Sequence, residues 1–389
     1  MEIFARYYSA AVEMYGVWGL ALLALLLLLF IVQMRYYLAI FGRLPSFRIK
    51  SQRDAADART GTISVVIVMG DHYEWTENTL PLLLAQDYDL FEIIVVYVGN
   101  NGEFIETLEG LSAEDSRLRI SRVKQHPLFP ISNKMALNIG IKAARYDNIV
   151  ITTPDARPTS SRWLSLLAKG FDKAEIVIGY CGVEPAAGVT DKVIRASRMF
   201  SSMLYLTAAI RRHPYRGTIH NMGFARSLYF EHKGFGHLNL NLGEDDLFMQ
   251  QLFTDFNYTI VMHPRATMRQ VRWGGIAWWI HECRLRNHAH PFYPSRARWF
   301  VGGEAVSRLL FFVVAVTAAA MMPFEIQMTV LGIAALRYLA VALQMRRVAR
   351  RLGEEGLIGL WFVNDVLEPL FAIGITVSRI IKPIREVWR

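Results

Sequence analysis

The chain has 389 residues, 53% hydrophobic and 20% charged, with 43 Lys+Arg against 34 Asp+Glu, a net charge of +9 and a pI near 9.5. Abundant apolar residues with ordinary Gly and Pro exclude a disordered or collagenous chain. Only two cysteines, Cys181 and Cys283, occur, with no CxxC; this excludes a disulfide scaffold, gives no zinc signature and suits a reducing compartment.

The mean hydropathy of +0.22 is concentrated in a few segments. Gly16–Met34 (GVWGLALLALLLLLFIVQM) carries no formal charge and is long enough for a helix to cross about 30 Å of hydrocarbon. A signal peptide is the rival reading, but no basic cluster opens the chain and no small-residue cleavage site follows the leucines, so a retained anchor over 1–35 is expected. The 36–61 linker is basic: Arg43, Arg48, Lys50, Arg53 and Arg59 face only Asp54 and Asp57. The positive-inside rule then places the following domain in the cytoplasm, at the inner membrane.

From residue 62 the pattern switches to short β-branched runs: Thr62–Met69, Glu92–Val98, Leu118–Val123 and Asn148–Thr153. Helical stretches lie between them over Glu77–Gln86, Glu103–Gly110 and Ser132–Ala144, with Ser132 as N-cap. Near-continuous apolar strands alternating with helices predict an α/β domain with a mostly parallel sheet covered on both faces, spanning 62–275. Ligands in such sheets bind at the carboxyl ends of the strands, here Gly70–Glu74, Gly99–Asn101 and Thr153–Pro158. No GxGxxG or Walker loop stands there, which excludes a dinucleotide-dependent dehydrogenase or a P-loop NTPase.

The polar residues at these ends are few. ITTPDARP puts Asp155 just past a strand edge, where a carboxylate holds a diphosphate-bound divalent metal or simply makes a turn before Pro158. GEDDLFMQQLF sets Glu244, Asp245 and Asp246 at a helix start. Helix-dipole preference accounts for acids there, and so does a general base whose pKa is raised by its neighbours. Arg269–Trp299 is rich in Trp and Arg, which suits an amphipathic interface segment over 276–305, with Arg272 or Arg284 free to turn inward to a diphosphate. His281, His288 and His290 do not make a metal set.

Leu309–Phe324 and Met328–Met345 form a membrane hairpin (306–346), and the following Arg346, Arg347, Arg350 and Arg351 return it to the cytoplasm. The 347–389 tail is a basic turn followed by an apolar stretch, Leu357–Ile380, that carries Asn364, Asp365, Glu368 and Pro369. It reads as an interfacial or membrane helix. Membrane edges account for most of the positive charge, and no nucleic-acid module is present.

The order of these features resembles that of membrane-anchored bacterial glycosyltransferases of family 2, with the GT-A fold. NKMALNIGIKAARYDNIVITTPDARP (Asn133–Pro158) resembles the family's K-x-x-A-L-N-x-G-I-x-x-A stretch leading to its DxD strand, with Lys134, Ala136, Leu137, Asn138, Gly140 and Ile141 on pattern. LLLAQDYDLFEIIVV (Leu82–Val96) is similar to its first helix and second strand, and the acidic triplet to its E-D base motif. The resemblance implies inverting transfer from a nucleotide sugar, expected to be UDP-linked, to a lipid or lipid-linked acceptor at the bilayer. Asp245 would be the base, with Glu244 beside it and Asp246 as an alternative. Asp155 would hold Mg²⁺ or Mn²⁺. Donor contacts are implied at Asp71, His72, Tyr97, Gly99, Lys134 and Asp155. The Q/R-x-x-R-W motif has two candidates, RQVRW with Arg272, or His281 with Arg284, the latter favoured. Thr153 replaces the first Asp of DxD, Tyr97-Val98-Gly99 replaces the acidic end of the second strand, and Asp71-His72 the usual Asn-Glu. Tyr97 is expected to stack on the base. These departures keep open a catalytically silent member that acts as a binding partner.

Overall fold

The structure, a computed structural model, describes residues 2–48, 61–124, 131–234, 244–254 and 256–382. Ten strands are found among the described residues: β1 Ile63–Met69, β2 Phe91–Val98, β3 Leu118–Val123, β4 Asn148–Thr152, β5 Ala156–Pro158, β6 Ile176–Ile178, β7 Cys181–Val183, β8 Met222–Ala225, β9 Tyr258–Ile260 and β10 Met268–Gln270. Seven form a sheet in the order β3–β2–β1–β4–β8–β6–β9, in which only β8 runs antiparallel to its neighbours. β5, β10 and β7 form a small second sheet beside it. The fold is therefore α/β with a mostly parallel sheet, as the strand pattern predicts.

The period of two sorts the strands onto two cores. Val65, Ile67, Ile93, Val95 and Val150 bury into one face, and Val66, Ile94, Val96, Ile149 and Ile151 into the other. The helix Asn133–Ala143 covers the second face, and the Ser132 hydroxyl caps it, accepting from Met135 N at 3.3 Å. A Cβ on Gly140 would stand 2.5 Å from a Val66 methyl and 2.8 Å from a Val96 methyl, so only glycine lets this helix lie so close to the sheet. The expected helix at Glu77–Gln86 is instead two short ones, Tyr73–Asn78 and Leu80–Leu84, with Pro81 at the junction.

Four described helices are long and apolar enough to cross a membrane: Gly16–Ser46, Ser295–Met321, Ile326–Leu352 and Trp361–Ile381. The third is the greater part of the helix Phe324–Leu352. The second begins at Ser295, so the step expected at residue 306 lies within one continuous helix. The polar residues of the last are explained by partners. Asp365 accepts from Arg337, Glu368 accepts from Arg308 at 2.8 Å, and Arg308 also bonds Glu304 at 2.9 Å. Gln33 joins the group, accepting from Arg337 and donating to Ser307, each at 2.8 Å, so one polar network binds all four helices. Charges that would be costly facing lipid are thereby paired inside the bundle.

The bundle and the sheet domain share a core. Tyr37, Phe41, Val341, Met345 and Trp361 pack in the same cluster as Val66, Ile151 and Met203. A second tie is ionic: Glu354, just past the third of these helices, is buried between Tyr180, Arg195 and Arg269.

Candidate active site

The carboxyl ends of β1 and β4 open onto a cavity of about 300 Å³ lined by Asp71, His72, Tyr73, Pro154, Asp155, Arg157 and Trp273, among others. Two carboxylates thus meet at the sheet edge, each held by a hydroxyl. Asp71 Oδ1 accepts from the Tyr97 hydroxyl at 2.7 Å, and that hydroxyl accepts from Asn101 N at 3.0 Å. Asp155 Oδ1 accepts from Thr153 Oγ1 at 2.5 Å, and its Oδ2 from Gln270 Nε2 at 2.7 Å. Gln270 in turn accepts from the buried Arg198 guanidinium, and Val271 N donates to the Asp155 carbonyl at 2.6 Å. The chain thereby locks Asp155 from both sides and leaves its remaining lone pairs to the cavity.

His220 lies behind this pair. Its Nδ1 is 2.6 Å from Thr153 Oγ1 and 3.9 Å from Asp155 Oδ1. Burial lowers its pKa to about 4 against the pull of Asp155, with Arg198, Arg286 and Arg216 adding to the depression, so it is neutral at neutral pH. Asn221 next to it is fully committed, donating to Tyr180 O at 2.8 Å and Ala266 O at 3.0 Å while accepting from Trp163 Nε1 at 3.0 Å. That fixes the turn carrying His220.

The acidic triplet opens the helix Glu244–Leu252. The side chains of Glu244 and Asp245 lie outside the described residues, as do Gly243 and the preceding His237–Leu242 segment. Asp246 is described and is not placed as a base. It is buried, accepts from the Tyr293 hydroxyl at 2.5 Å, and lies 3.4 Å from Arg216 Nε. Burial, and then the Asp246 charge, push the Tyr293 pKa well above its ordinary range, so Tyr293 remains a donor to this carboxylate.

Residues 64–232 match the family model described as glycosyl transferase family 2. These residues are a glycosyl transferase family 2 domain. The chain is thereby a glycosyltransferase. In architecture it is similar to the mannosyltransferase PcManGT from Pyrobaculum calidifontis, solved in complex with GDP-Man and Mn²⁺: TM-score 0.59 at 17% identity, covering 93% of this chain and 100% of that one. S. aureus TarS 1-349, solved in complex with UDP-GlcNAc, gives a TM-score of 0.39 at 13% identity over 82% of this chain and 92% of that one. No curated protein matches the chain in sequence.

Within this glycosyltransferase, the cavity brings together three of the expected donor residues, Asp71, His72 and Asp155. The other six do not line it. Tyr97 is fully buried against Phe104, with ring centroids 5.6 Å apart, and offers no face to a base; it positions Asp71. Gly99 abuts the Tyr97 ring, where a Cβ would overlap the phenol, so it makes room for that contact. Arg284 turns to the end of the last helix and donates to Lys382 O at 2.8 Å, away from the cavity. His281 is exposed on the same helix, Ile276–His288, and does not line it. Lys134 sits half-buried on the first turn of its helix, also outside the lining. Arg272 lies between two lining residues, Val271 and Trp273, but its guanidinium is aimed at the buried Asp191, 3.8 Å away. Arg269, the first residue of RQVRW, is committed to Glu354.

Sequence reasoning missed Tyr73, Arg157, His220 and Gln270. Tyr73 and Trp273 are the exposed aromatics of the cavity; Tyr73 is edge-on to Phe104 at 4.7 Å and bonded by Asn101 Nδ2 at 3.1 Å. No three His, Cys, Asp or Glu side chains among the described residues group as a metal cage. One locked carboxylate beside a second is the donor set that Mg²⁺ or Mn²⁺ uses when a diphosphate supplies its other oxygens, and Asp155 and Asp71 fit it.

Proposed function

We propose that this glycosyltransferase transfers a sugar, with inversion, from a nucleotide-sugar donor in the β1–β4 cavity to an acceptor delivered by the membrane, on the cytoplasmic face of the inner membrane. The observation that carries the reading is the meeting of Asp71 and the locked Asp155 in one cavity at the strand ends, beside an exposed aromatic. Tyr73, rather than Tyr97, is the face on which the base stacks, with Asp71 able to accept from the base or ribose. Asp155 would hold the divalent ion, which when bound offsets charge on the departing diphosphate.

Asp245 takes the proton of the acceptor hydroxyl. The new bond from that oxygen to the anomeric carbon forms as the bond to the diphosphate oxygen breaks, so the nucleoside diphosphate leaves with the bonding pair. The four apolar helices, and Arg35, Arg43 and Arg48 after the first apolar run, support a membrane acceptor and a cytoplasmic active site.

Thr153 in place of an acid favours a second reading, a silent partner protein. Calorimetric titration of the full chain with UDP and GDP, each with and without Mn²⁺, separates the two. Metal-dependent binding of one nucleotide supports the transferase and identifies the nucleotide, and binding of neither favours the silent partner. Asp245→Asn should then lower transfer by about 10²–10⁴-fold with nucleotide affinity intact; full activity would remove Asp245 from its role.

A further inference from the structure

A second cavity, of about 390 Å³, lies between the helices Ile276–His288, Ser295–Met321 and Trp361–Ile381. Its two ends differ in chemistry. Toward the bundle it is lined by Val306, Ile373 and Val377, all exposed on the outer surface of helices long enough to cross a membrane. It therefore opens sideways, where acyl or isoprenoid chains lie. Toward the sheet domain it is lined by Arg216, which pairs with Asp246, and by Arg286. Arg286 lies over the Trp279 ring at 4.5 Å, and Arg198 lies 5.2 Å from the same ring. Its hydrogen bonds are to Glu282 O and Cys283 Sγ of its own helix, and among the described residues it pairs with no carboxylate. The carboxylates on the far wall, Glu304 and Glu368, are both taken by Arg308. The cavity thus has an apolar mouth on the outer face of the bundle and, at its inner end, a guanidinium that no carboxylate among the described residues neutralises, beside the Arg216 that pairs with Asp246.

We infer that this cavity is the acceptor site and that the acceptor is a lipid phosphate monoester, its chain between the Ser295–Met321 and Trp361–Ile381 helices, its phosphate on Arg286 and Arg216, and its P–OH the hydroxyl whose proton passes to Asp245 as that oxygen bonds the anomeric carbon. A guanidinium stacked on an indole is held in place and presents its fork to phosphate oxygens. The reading of this lipid as acceptor rests on the transferase function proposed above.

The test is equilibrium binding of radiolabelled farnesyl phosphate and of farnesol to the full chain in phosphatidylcholine nanodiscs, with the UDP and GDP titrations run in parallel. Farnesyl phosphate should bind at least tenfold more tightly than farnesol. Arg286→Gln should weaken farnesyl phosphate about tenfold, the loss expected for one charge-assisted contact. Gly302→Trp should abolish it, because Gly302 lines the cavity and a Cβ there meets open space. Neither variant should change nucleotide binding. Equal affinity for farnesol, or parental affinity in either variant, would overturn the assignment. So would displacement by phosphatidylglycerol at the concentration of farnesyl phosphate, which would make the occupant bulk lipid. Nucleotide binding without farnesyl phosphate binding would sink this site and leave the donor reading standing; the converse would sink the donor reading alone.

Discussion

Replacing Glu354 by Gln should weaken both the fold and donor binding, although Glu354 is outside the donor cavity. The carboxylate is completely buried. It accepts from the Tyr180 hydroxyl at 2.7 Å, from Arg195 at 2.8 and 3.2 Å, and from Arg269, which also donates to Gly353 O at 2.6 Å. Glutamine keeps the shape but removes the charge and turns an N–H₂ toward groups that are themselves donors. Two guanidiniums then lose their counter-charge, and only Arg195 retains a second acid, Asp191, at 3.7 Å. Unpairing a buried ion pair costs about 3–5 kcal/mol, which for a domain of this size lowers the unfolding midpoint by about 6–20 °C.

The functional consequence runs through one peptide bond. Arg269 precedes Gln270, whose amide holds Asp155 at 2.7 Å. Releasing Arg269 frees the end of β10 and with it one of the two groups locking Asp155. Differential scanning fluorimetry of the full chain in detergent, together with nucleotide titration, measures both effects. Gly182→Ala should reproduce them, since a Cβ there would overlap both Arg269 and Glu354. A Glu354→Gln protein that melts within 2 °C of the parent and binds nucleotide equally would refute the reasoning.

Asp155→Asn should remove the increment in nucleotide affinity that Mn²⁺ supplies while leaving metal-free affinity unchanged, as read by calorimetry; an undiminished increment would place the ion elsewhere. Tyr97→Phe deletes the hydroxyl that fixes Asp71 and should weaken nucleotide binding about 2- to 10-fold, the value of one hydrogen bond, with little change in far-ultraviolet circular dichroism. His220 binds its proton at a lower pH in the folded protein (about 4) than in the unfolded chain (about 6.5). Its contribution is therefore fully present above pH 6.5 and is lost as the pH falls from 6.5 to 4, by about 3 kcal/mol in all. The unfolding midpoint should drop across that window, and His220→Gln should flatten the drop; an unchanged slope would mean that His220 titrates normally.

The long strands were legible: β1, β2 and β4 read as apolar runs because both of their faces are buried, β3 at the sheet edge is only partly buried, and the boundaries of all four differ from the expected ones by a residue at most. β5, β6, β7, β9 and β10 have three residues each, too few to show a period, and so the second sheet was not visible. Its loss hid Gln270, whose only signal was its place in RQVRW. Tyr97 carried a signal that was there to be used. It lies two and four residues after Val95 and Ile93, on the face that β2 buries, so strand parity alone turns its ring inward. The choice between Arg272 and Arg284 had no such local signal, because the direction of Arg284 is set by the last helix packing against Ile276–His288. The same distance explains Asp365 and Glu368. In sequence they weaken a membrane span, and only their partners Arg337 and Arg308, on other helices, make them compatible with one.

The two departures from the family pattern that most favour a silent protein have a common physical form. Where the first acid of DxD is expected, Thr153 donates its hydroxyl to Asp155. Where the second strand is expected to end in acids, Tyr97 donates its hydroxyl to Asp71. In each case a carboxylate of the pattern is replaced by a donor aimed at a carboxylate that lines the cavity. Both carboxylates that line the cavity, Asp155 on the DxD pattern and Asp71 in place of the usual Asn, are thus held by a hydroxyl set at a position where the pattern has an acid. On the proposed reading, an Asp155 that holds the ion and a hydroxyl-positioned Asp71 would make a donor site with altered nucleotide contacts, in which the substitutions change selectivity rather than activity.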